Sequence, residues 1–536
     1  MLKIKKLILL FVSLIFLLTF TGTASASNST SNFYVDVNHG NDQSAGSLTH
    51  PWKSINHAAL KVKPGNTVHI SSGNYLIRQN IHITTSGTKT LPIKFIGAGN
   101  GTIIDSSALD GSDNFRRDGI FIENANYIQI ENLVVKNAYR AGIRVSGSDY
   151  VSVKHVKSYH NGYWGIFTDF SNHLLIEHND CFGSKIQHGI YISNSGDYPV
   201  IRDNKIHDNA NCGLHMNGDI SMGGDGIIKG ALVENNIIYN NGVNGGSGIN
   251  CDGVEYSTIR NNLLYNNHAS GISLYRIDGG GKSNYNNVYQ NTVVVASNGR
   301  WALNLKDGSS QNYIYNNILL NNNPSHGSIS TDSTKGLQSD YNIITTNSHP
   351  VTPDDDTSYP SFKAWQTAGF DKHSKRAFSS QIFSNPSAND FSLKKGSIAI
   401  DSATSIKTSD YDIKSIKRPQ GNGYDIGAYE YVFNNALPKV TSITPSKNAV
   451  NIIRNPIIKI TFNKYLKFGS GWIELKTDNG NSVNISKSLK GNILTIIPRI
   501  LLSKTTRYTI ILHSGCVKDS LNHGLSLYTS NFKTRN

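Results

Sequence analysis

Cysteine is scarce in this chain. Its 536 residues include four, Cys181, Cys212, Cys251 and Cys516. They are too few and too scattered for a disulfide framework, and no CxxC pair or His/Cys run with zinc spacing occurs. Buried free thiols are the reading that remains. Charged residues make up only 16% of the chain. Past residue 26 no stretch is apolar for long enough to cross a bilayer. Helical periodicity is absent from the repeated middle of the chain, which excludes helical solenoids there.

What is present begins with a leader. Lys3, Lys5 and Lys6 precede an apolar run from Leu7 to Phe20, and Ala24, Ser25 and Ala26 supply small residues for cleavage. Residues 1–26 therefore read as an export signal, which predicts a secreted or cell-surface protein with no membrane span after its removal. The net charge of +14 is unevenly distributed. Residues 437–536 hold 15 basic and 3 acidic residues, whereas 27–436 hold 33 and 34. A basic tail on an exported chain suits anionic polymers of a cell wall or surface, and nucleic acid is a poor partner for such a protein.

A repeat dominates the middle. Gly119, Gly142, Gly165, Gly189, Gly213, Gly248 and Gly271, with Ala302 closing the series, each open a segment of alternating apolar residues. The spacings are 23, 23, 24, 24, 35, 23 and 31 residues. Between these segments lie further short strands with Asn-rich turns, in which Asn179, Asn204, Asn236, Asn262, Asn291 and Asn317 recur at one corner. A single turn of this kind cannot bury its apolar side. Stacked turns at the ~4.8 Å strand spacing make a continuous core. Asparagine tolerates a left-handed turn, and stacked amides hydrogen-bond along the axis. The expectation is an all-β chain. A right-handed parallel β-helix solenoid spans 27–436, with first coils over 27–105, regular coils over 106–345 and irregular ones over 346–436. Alternating strands in 437–536, such as Ile457 to Phe462 and Ile493 to Pro498, suit one β-sandwich.

From Phe33 to Tyr431 these patterns resemble the pectin-lyase-like parallel β-helix superfamily. The opening Phe33 to Asp42, the segments at Pro51, Lys63 and Ser72, and the close at Ser397 to Asp401 and Tyr424 to Glu430 are similar to the ends of secreted members. The tail resembles a bacterial Ig-like domain of surface-layer and adhesin-like proteins. The first resemblance implies polysaccharide lyases, glycosidases, epimerases or proteins that only bind, since one frame carries them all. Calcium-dependent pectate lyases of this fold group aspartates on adjacent coils. Here Ser193 and Asn217 stand between Asp169 and Asp252, and no Asp-Pro-His-Glu motif of the alginate-epimerase kind is present.

Alternation assigns directions. The first and third residues after each glycine point inward, so the second and fourth point out. One outward column reads Phe121, Arg144, Phe167, Tyr191, His215, Asn250, Ser273 and Asn304. The other reads Glu123, Ser146, Asp169, Ser193, Asn217, Asp252, Tyr275 and Lys306. Rings stack on sugars while amides and carboxylates bind hydroxyls. The candidate substrate-binding residues are therefore Trp164, Phe167, Asp169, His188, Tyr191, His215, Asn217, Asn250, Arg300, Trp301 and Asn304, on a face that holds more large side chains than the other strands. Two long connections, Gly218 to Asp225 and Arg276 to Gly281, leave the same end of this face and are placed to wall a groove. The candidate catalytic residues are Asp252, Tyr275, Arg276 and Lys306. A uronate lyase needs a base, for which Tyr275 or Lys306 would serve, and a carboxylate clamp, for which Arg276 would serve. A glycosidase needs two carboxyl groups, with Asp252 and one of Asp219, Asp225 or Asp278 as the available set. Asp219 and Asp225 are the candidates to complete a Ca2+ site of oxygen ligands. A non-catalytic, adhesin-like surface protein that binds glycan or cell wall is the alternative.

Overall fold

The computed structural model describes residues 30–346, 351–352, 361–432, 437–519 and 522–536. The leader and Asp354 to Asp356 lie outside them. The chain is a right-handed parallel β-helix followed by a domain of antiparallel sheets. Three parallel sheets run along the solenoid. The first has 12 strands, from Asn32–Val35 to Gln338–Asp340, and the third has 12, from Gly73–Leu76 to Lys375–Arg376. Between them in each coil lies the glycine-led sheet of 11 strands, from Ile81–Ile83 to Val351–Thr352.

Register in the glycine-led sheet is unbroken. Ile143 pairs with Ile120 and Ile166, and Asn217 pairs with Ser193 and Asp252. The inward residues from Ile120 to Leu305 are fully or almost fully buried and join one core. The glycine column has a steric cause. A Cβ on Gly165 would lie 2.6 Å from the Gly189 carbonyl oxygen, and one on Gly213 would lie 2.8 Å from that of Gly248. The series also runs beyond its glycines, because Ile81–Ile83, Ile329–Thr331 and Val351–Thr352 belong to the same sheet. The residues that precede the first two of these strands are Asn80 and Ser328, so the marker is missing although the strands persist.

The asparagine corner is a buried ladder. Asn236 Nδ2 donates to Asn262 Oδ1 at 2.9 Å, Asn262 Nδ2 to Asn291 Oδ1 at 3.0 Å, and Asn291 Nδ2 to Asn317 Oδ1 at 3.0 Å. Each of these oxygens also accepts the backbone N–H of the preceding ladder residue. Each Nδ2 donates to a carbonyl of the coil before, as Asn262 does to Val233 at 3.0 Å. The left-handed residue at this corner is not the ladder asparagine. It is the residue before it, among them His178, Asp203, Asn235, Asn261 and Gln290. A second ladder joins Asn209, Asn241 and Asn267.

Residues 361–432 form a packed extension. Trp365 is fully buried in the helix Phe362–Thr367, and its Nε1 donates to Asp371 Oδ2 at 2.7 Å. Phe383, Phe391, Ile426 and Tyr429 pack against Leu263, Val294, Ile318 and Ile343. This covers the solvent side of the third sheet over its last coils. The C-terminal domain holds two four-stranded sheets around its own core of Ile458, Phe462, Leu475, Leu494, Tyr508 and Phe532. Among the described residues no helix is long and apolar enough to cross a membrane.

Candidate functional site

The first half of the glycine-led face is a ring-and-cation surface. Arg144 lies between Phe121 and Phe167, its guanidinium carbon 4.6 Å and 5.6 Å from the two ring centres. The same guanidinium bonds Asp169 at 3.1 Å, and Asp169 also accepts Ser146 Oγ. The Asp169 carboxylate is thus bound within the face and only 4% exposed. Trp164 stacks on Phe167 at 4.4 Å, and Tyr191 stacks on His215 at 4.9 Å. Large rings are not special to this face, contrary to the sequence-based expectation. Tyr127, Tyr150, His173 and Tyr198 stack in a row elsewhere at 4.7–5.0 Å, and so do Tyr159, Phe182, His207, Tyr239 and Tyr265. Equal positions on successive coils lie one strand spacing apart, so rings there stack on each other whatever their function.

The two long connections join. Ile220 N–H donates to the Asp278 carbonyl at 2.9 Å, and Gly280 N–H donates to that of Gly226 at 2.7 Å. Beneath them, Asp252 is only 1% exposed. Its carboxylate accepts the N–H groups of Ile277, Asp278 and Gly279 at 2.8–2.9 Å. Burial pushes the Asp252 carboxyl up, against the three donors that pull it down. Asp252 keeps its place in the outward column, but it stands as the anchor of a loop and not as a group open to substrate. Asn217 is likewise buried and donates to Tyr191 Oη at 3.2 Å. Arg276 Nε donates to the Gly279 carbonyl at 3.1 Å, which folds this side chain into its own loop. Asp252→Ala is expected to cost about 2–3 kcal/mol of local stability, because three N–H groups lose their acceptor. Hydrogen exchange confined to residues 276–281 checks it.

Past these loops lies a cleft of about 580 Å³. Asn250, Tyr275, Arg300, Trp301, Asn304 and Lys306 line it. The Lys306 ammonium lies 5.9 Å from the Trp301 ring centre. Tyr275 Oη accepts from Asn250 Nδ2 at 2.6 Å and lies 3.4 Å from His215 Nε2. Burial raises the Tyr275 hydroxyl far above the usual phenol range, so it stays protonated. Asn304 Oδ1 is buried without a hydrogen-bond partner among the described residues. Asp307 and Asp332 also line the cleft, although neither stood out in the sequence. Arg300, not Arg276, is the arginine placed here.

Beside the cleft stand His188 and His215. His188 Nε2 and His215 Nδ1 face each other at 3.1 Å, and Cys212 completes a cluster whose nitrogen and sulfur atoms lie within 4.8 Å of one another. Burial lowers both imidazoles, His215 to about 4, and raises the Cys212 thiol to about 12. All three are neutral near pH 7. Cys212 and His215 stand three residues apart, a Cys-x-x-His spacing that corrects the expectation of no such pair, and His188 joins them from the coil before, 24 and 27 residues away. The loop carboxylates are engaged otherwise. Asp225 bonds the Lys229 ammonium at 2.6 Å, and Asp219 accepts from Ser221 Oγ at 2.5 Å. Among the described residues they form no cluster of three metal-binding side chains.

Comparison with known proteins agrees with this architecture. Residues 33–184 match the family described as Pel9A-like, right handed beta helix region, and residues 434–534 match the bacterial Ig-like domain. Pectate lyase PEL9 of Emericella nidulans is 25% identical over 232 residues, which take in 38% of this chain and 56% of that protein. Lacto-N-biosidase of Bifidobacterium longum is 28% identical over 139 residues, 22% of this chain and 9% of that one. The solved structure of pectate lyase Pel9A superposes with a TM-score of 0.52 at 17% identity, covering 75% of this chain and 97% of that one. The protein is therefore a right-handed parallel β-helix whose first coils match the Pel9A-like region, carrying a bacterial Ig-like domain at its C-terminus.

Proposed function

We propose that the glycine-led face binds an acidic polysaccharide and that the cleft at its C-terminal half cleaves this polymer by β-elimination. The observation that carries the reading is the convergence of two basic side chains, Arg300 and Lys306, with Tyr275, Asn250, Asn304 and Trp301 in one hollow. The name of one relative, a pectate lyase, supports an acidic polymer, whereas that of another, a lacto-N-biosidase, supports only a carbohydrate substrate.

Each side chain has a task. Arg300 pairs with the uronate carboxylate and stabilises the charge that grows there once the neighbouring C–H bond breaks. Lys306 is the base assigned to take that proton. The electron pair left behind forms a carbon–carbon double bond while the glycosidic C–O bond breaks. The departing oxygen takes the Tyr275 proton, which solvent later restores from the Lys306 ammonium. The products are one chain with a new hydroxyl and one with an unsaturated uronate end. Hydrolysis has weaker support, because the Asp252 carboxylate is held by three backbone N–H groups.

A panel of polyuronates and neutral glycans tests the reaction. Elimination yields ultraviolet-absorbing ends from a polyuronate. Reducing ends without that absorbance would reject elimination, and no product from any polymer would leave only binding.

The basic tail, 437–536, is proposed to attach the enzyme to anionic surface polymers. Its deletion is expected to lower retention on isolated cell walls at low salt, and added salt is expected to release the full chain, since exposed charges are screened. Equal retention with and without the tail would reject this role.

A further inference from the structure

We propose that His188, Cys212 and His215 form a binding site for one transition-metal ion of the zinc class, adjoining the cleft. In a tetrahedral zinc site the ligand nitrogens stand about 2.0–2.1 Å from the ion, which places two of them about 3.3 Å apart. His188 Nε2 and His215 Nδ1 are 3.1 Å apart, and the three donor atoms span no more than 4.8 Å. The two imidazole rings meet edge to face, their planes crossing at 82°, and with no ion between them the 3.1 Å contact is a hydrogen bond that a metal would replace. One imidazole pair and one thiolate are the donors that borderline and soft divalent ions prefer over Ca2+ and Mg2+.

The surroundings fit as well. The other nitrogen of His215, Nε2, faces Tyr275 Oη at 3.4 Å, and Tyr275 is held in turn by Asn250. Outer contacts of this kind fix the tautomer and the orientation of a ligating imidazole. Gly246 covers the sulfur. A Cβ there would stand 2.6 Å from Cys212 Sγ, so only glycine lets the backbone pass while the thiol stays in place. His188 is 6% exposed, and its Nδ1 has no partner among the described residues. The cluster thus combines three donors and a supported imidazole, behind Gly246 and Tyr275 of the cleft wall. With three protein ligands the ion keeps a fourth position for water or a substrate oxygen.

The test needs no substrate, so its outcome stands apart from the polysaccharide reading. Untagged full-length chain is dialysed against Zn2+ and then against metal-free buffer, and retained metal is counted. One equivalent is expected, with a Zn2+-dependent rise in Tm that Ca2+ does not reproduce. Co2+ in place of Zn2+ is expected to give the near-ultraviolet thiolate-to-metal band. Cys212→Ser should abolish that band and lower retention at least tenfold, while Cys181→Ser, a buried thiol outside the cluster, leaves both unchanged. Should Cys212→Ser fail to fold by circular dichroism, His188→Gln is the second variant, with the same loss of retained metal expected. Absence of retained zinc in the wild-type chain, or retention unchanged in a folded His188→Gln or Cys212→Ser chain, would overturn the site.

Discussion

Replacing Asn262 with alanine is expected to destabilise the solenoid by about 3–5 kcal/mol, a larger loss than that expected from Asp252→Ala. The side chain is fully buried and makes four hydrogen bonds. Its Nδ2 donates to Asn291 Oδ1 and to the Val233 carbonyl, while its Oδ1 accepts the Asn236 backbone N–H and Nδ2. Alanine leaves the Asn236 donors and the Val233 acceptor orphaned where water does not reach, and an orphaned buried group costs about 1–3 kcal/mol. Aspartate tests the mechanism, since it keeps the acceptor and loses both donors. Urea unfolding followed by circular dichroism measures the loss. Asn322, an exposed residue outside the ladder, is the control, and its alanine variant should stay within about 0.5 kcal/mol of the parent.

Lys306→Ala carries the largest expected effect on chemistry. If its amine removes the proton, the elimination rate falls about a hundred- to ten-thousand-fold while binding weakens far less. Arg300→Ala should act in the opposite proportion. A charge-assisted contact to a carboxylate is worth about 1.5–3 kcal/mol, so KM rises about ten- to hundredfold and kcat falls through the lost stabilisation of developing charge. Tyr275→Phe removes the proton donor and the oxygen that Asn250 and His215 face, and it should lower kcat more than KM. Steady-state kinetics on one polyuronate separates the three. Equal losses in all of them would instead indicate a collapsed cleft.

The phase of the strands was legible from residues alone. A glycine followed by aliphatics at the first and third positions can lie only one way around a filled cylinder, and the pairing of Asn217 with Ser193 and Asp252 follows from it. What the pattern cannot carry is the path of the chain where strands end. Asp252 closes its strand, and its direction outward from the core leads under a loop whose fold depends on contacts with residues 220–226. Arg276 and Arg300 are alike in sequence, and only the closed coils show that one turns into its own loop while the other reaches the cleft. Of the His188, Cys212 and His215 cluster, only the short spacing from Cys212 to His215 is visible in the sequence. His188 belongs to the coil before and meets the other two through the stacking. The extension over 361–432 has no period, so Trp365 and Asp371 could not be placed before the fold was known.

Incubation of the full-length chain and of Lys306→Ala with a polyuronate, followed by ultraviolet absorbance of unsaturated ends, addresses the glycine-led cleft most directly. The wild-type chain should accumulate such ends, and the variant, equally folded and still bound to the polymer, should not. Undiminished product from the variant, or none from either chain on any uronate polymer, would contradict the assignment of chemistry to this cleft.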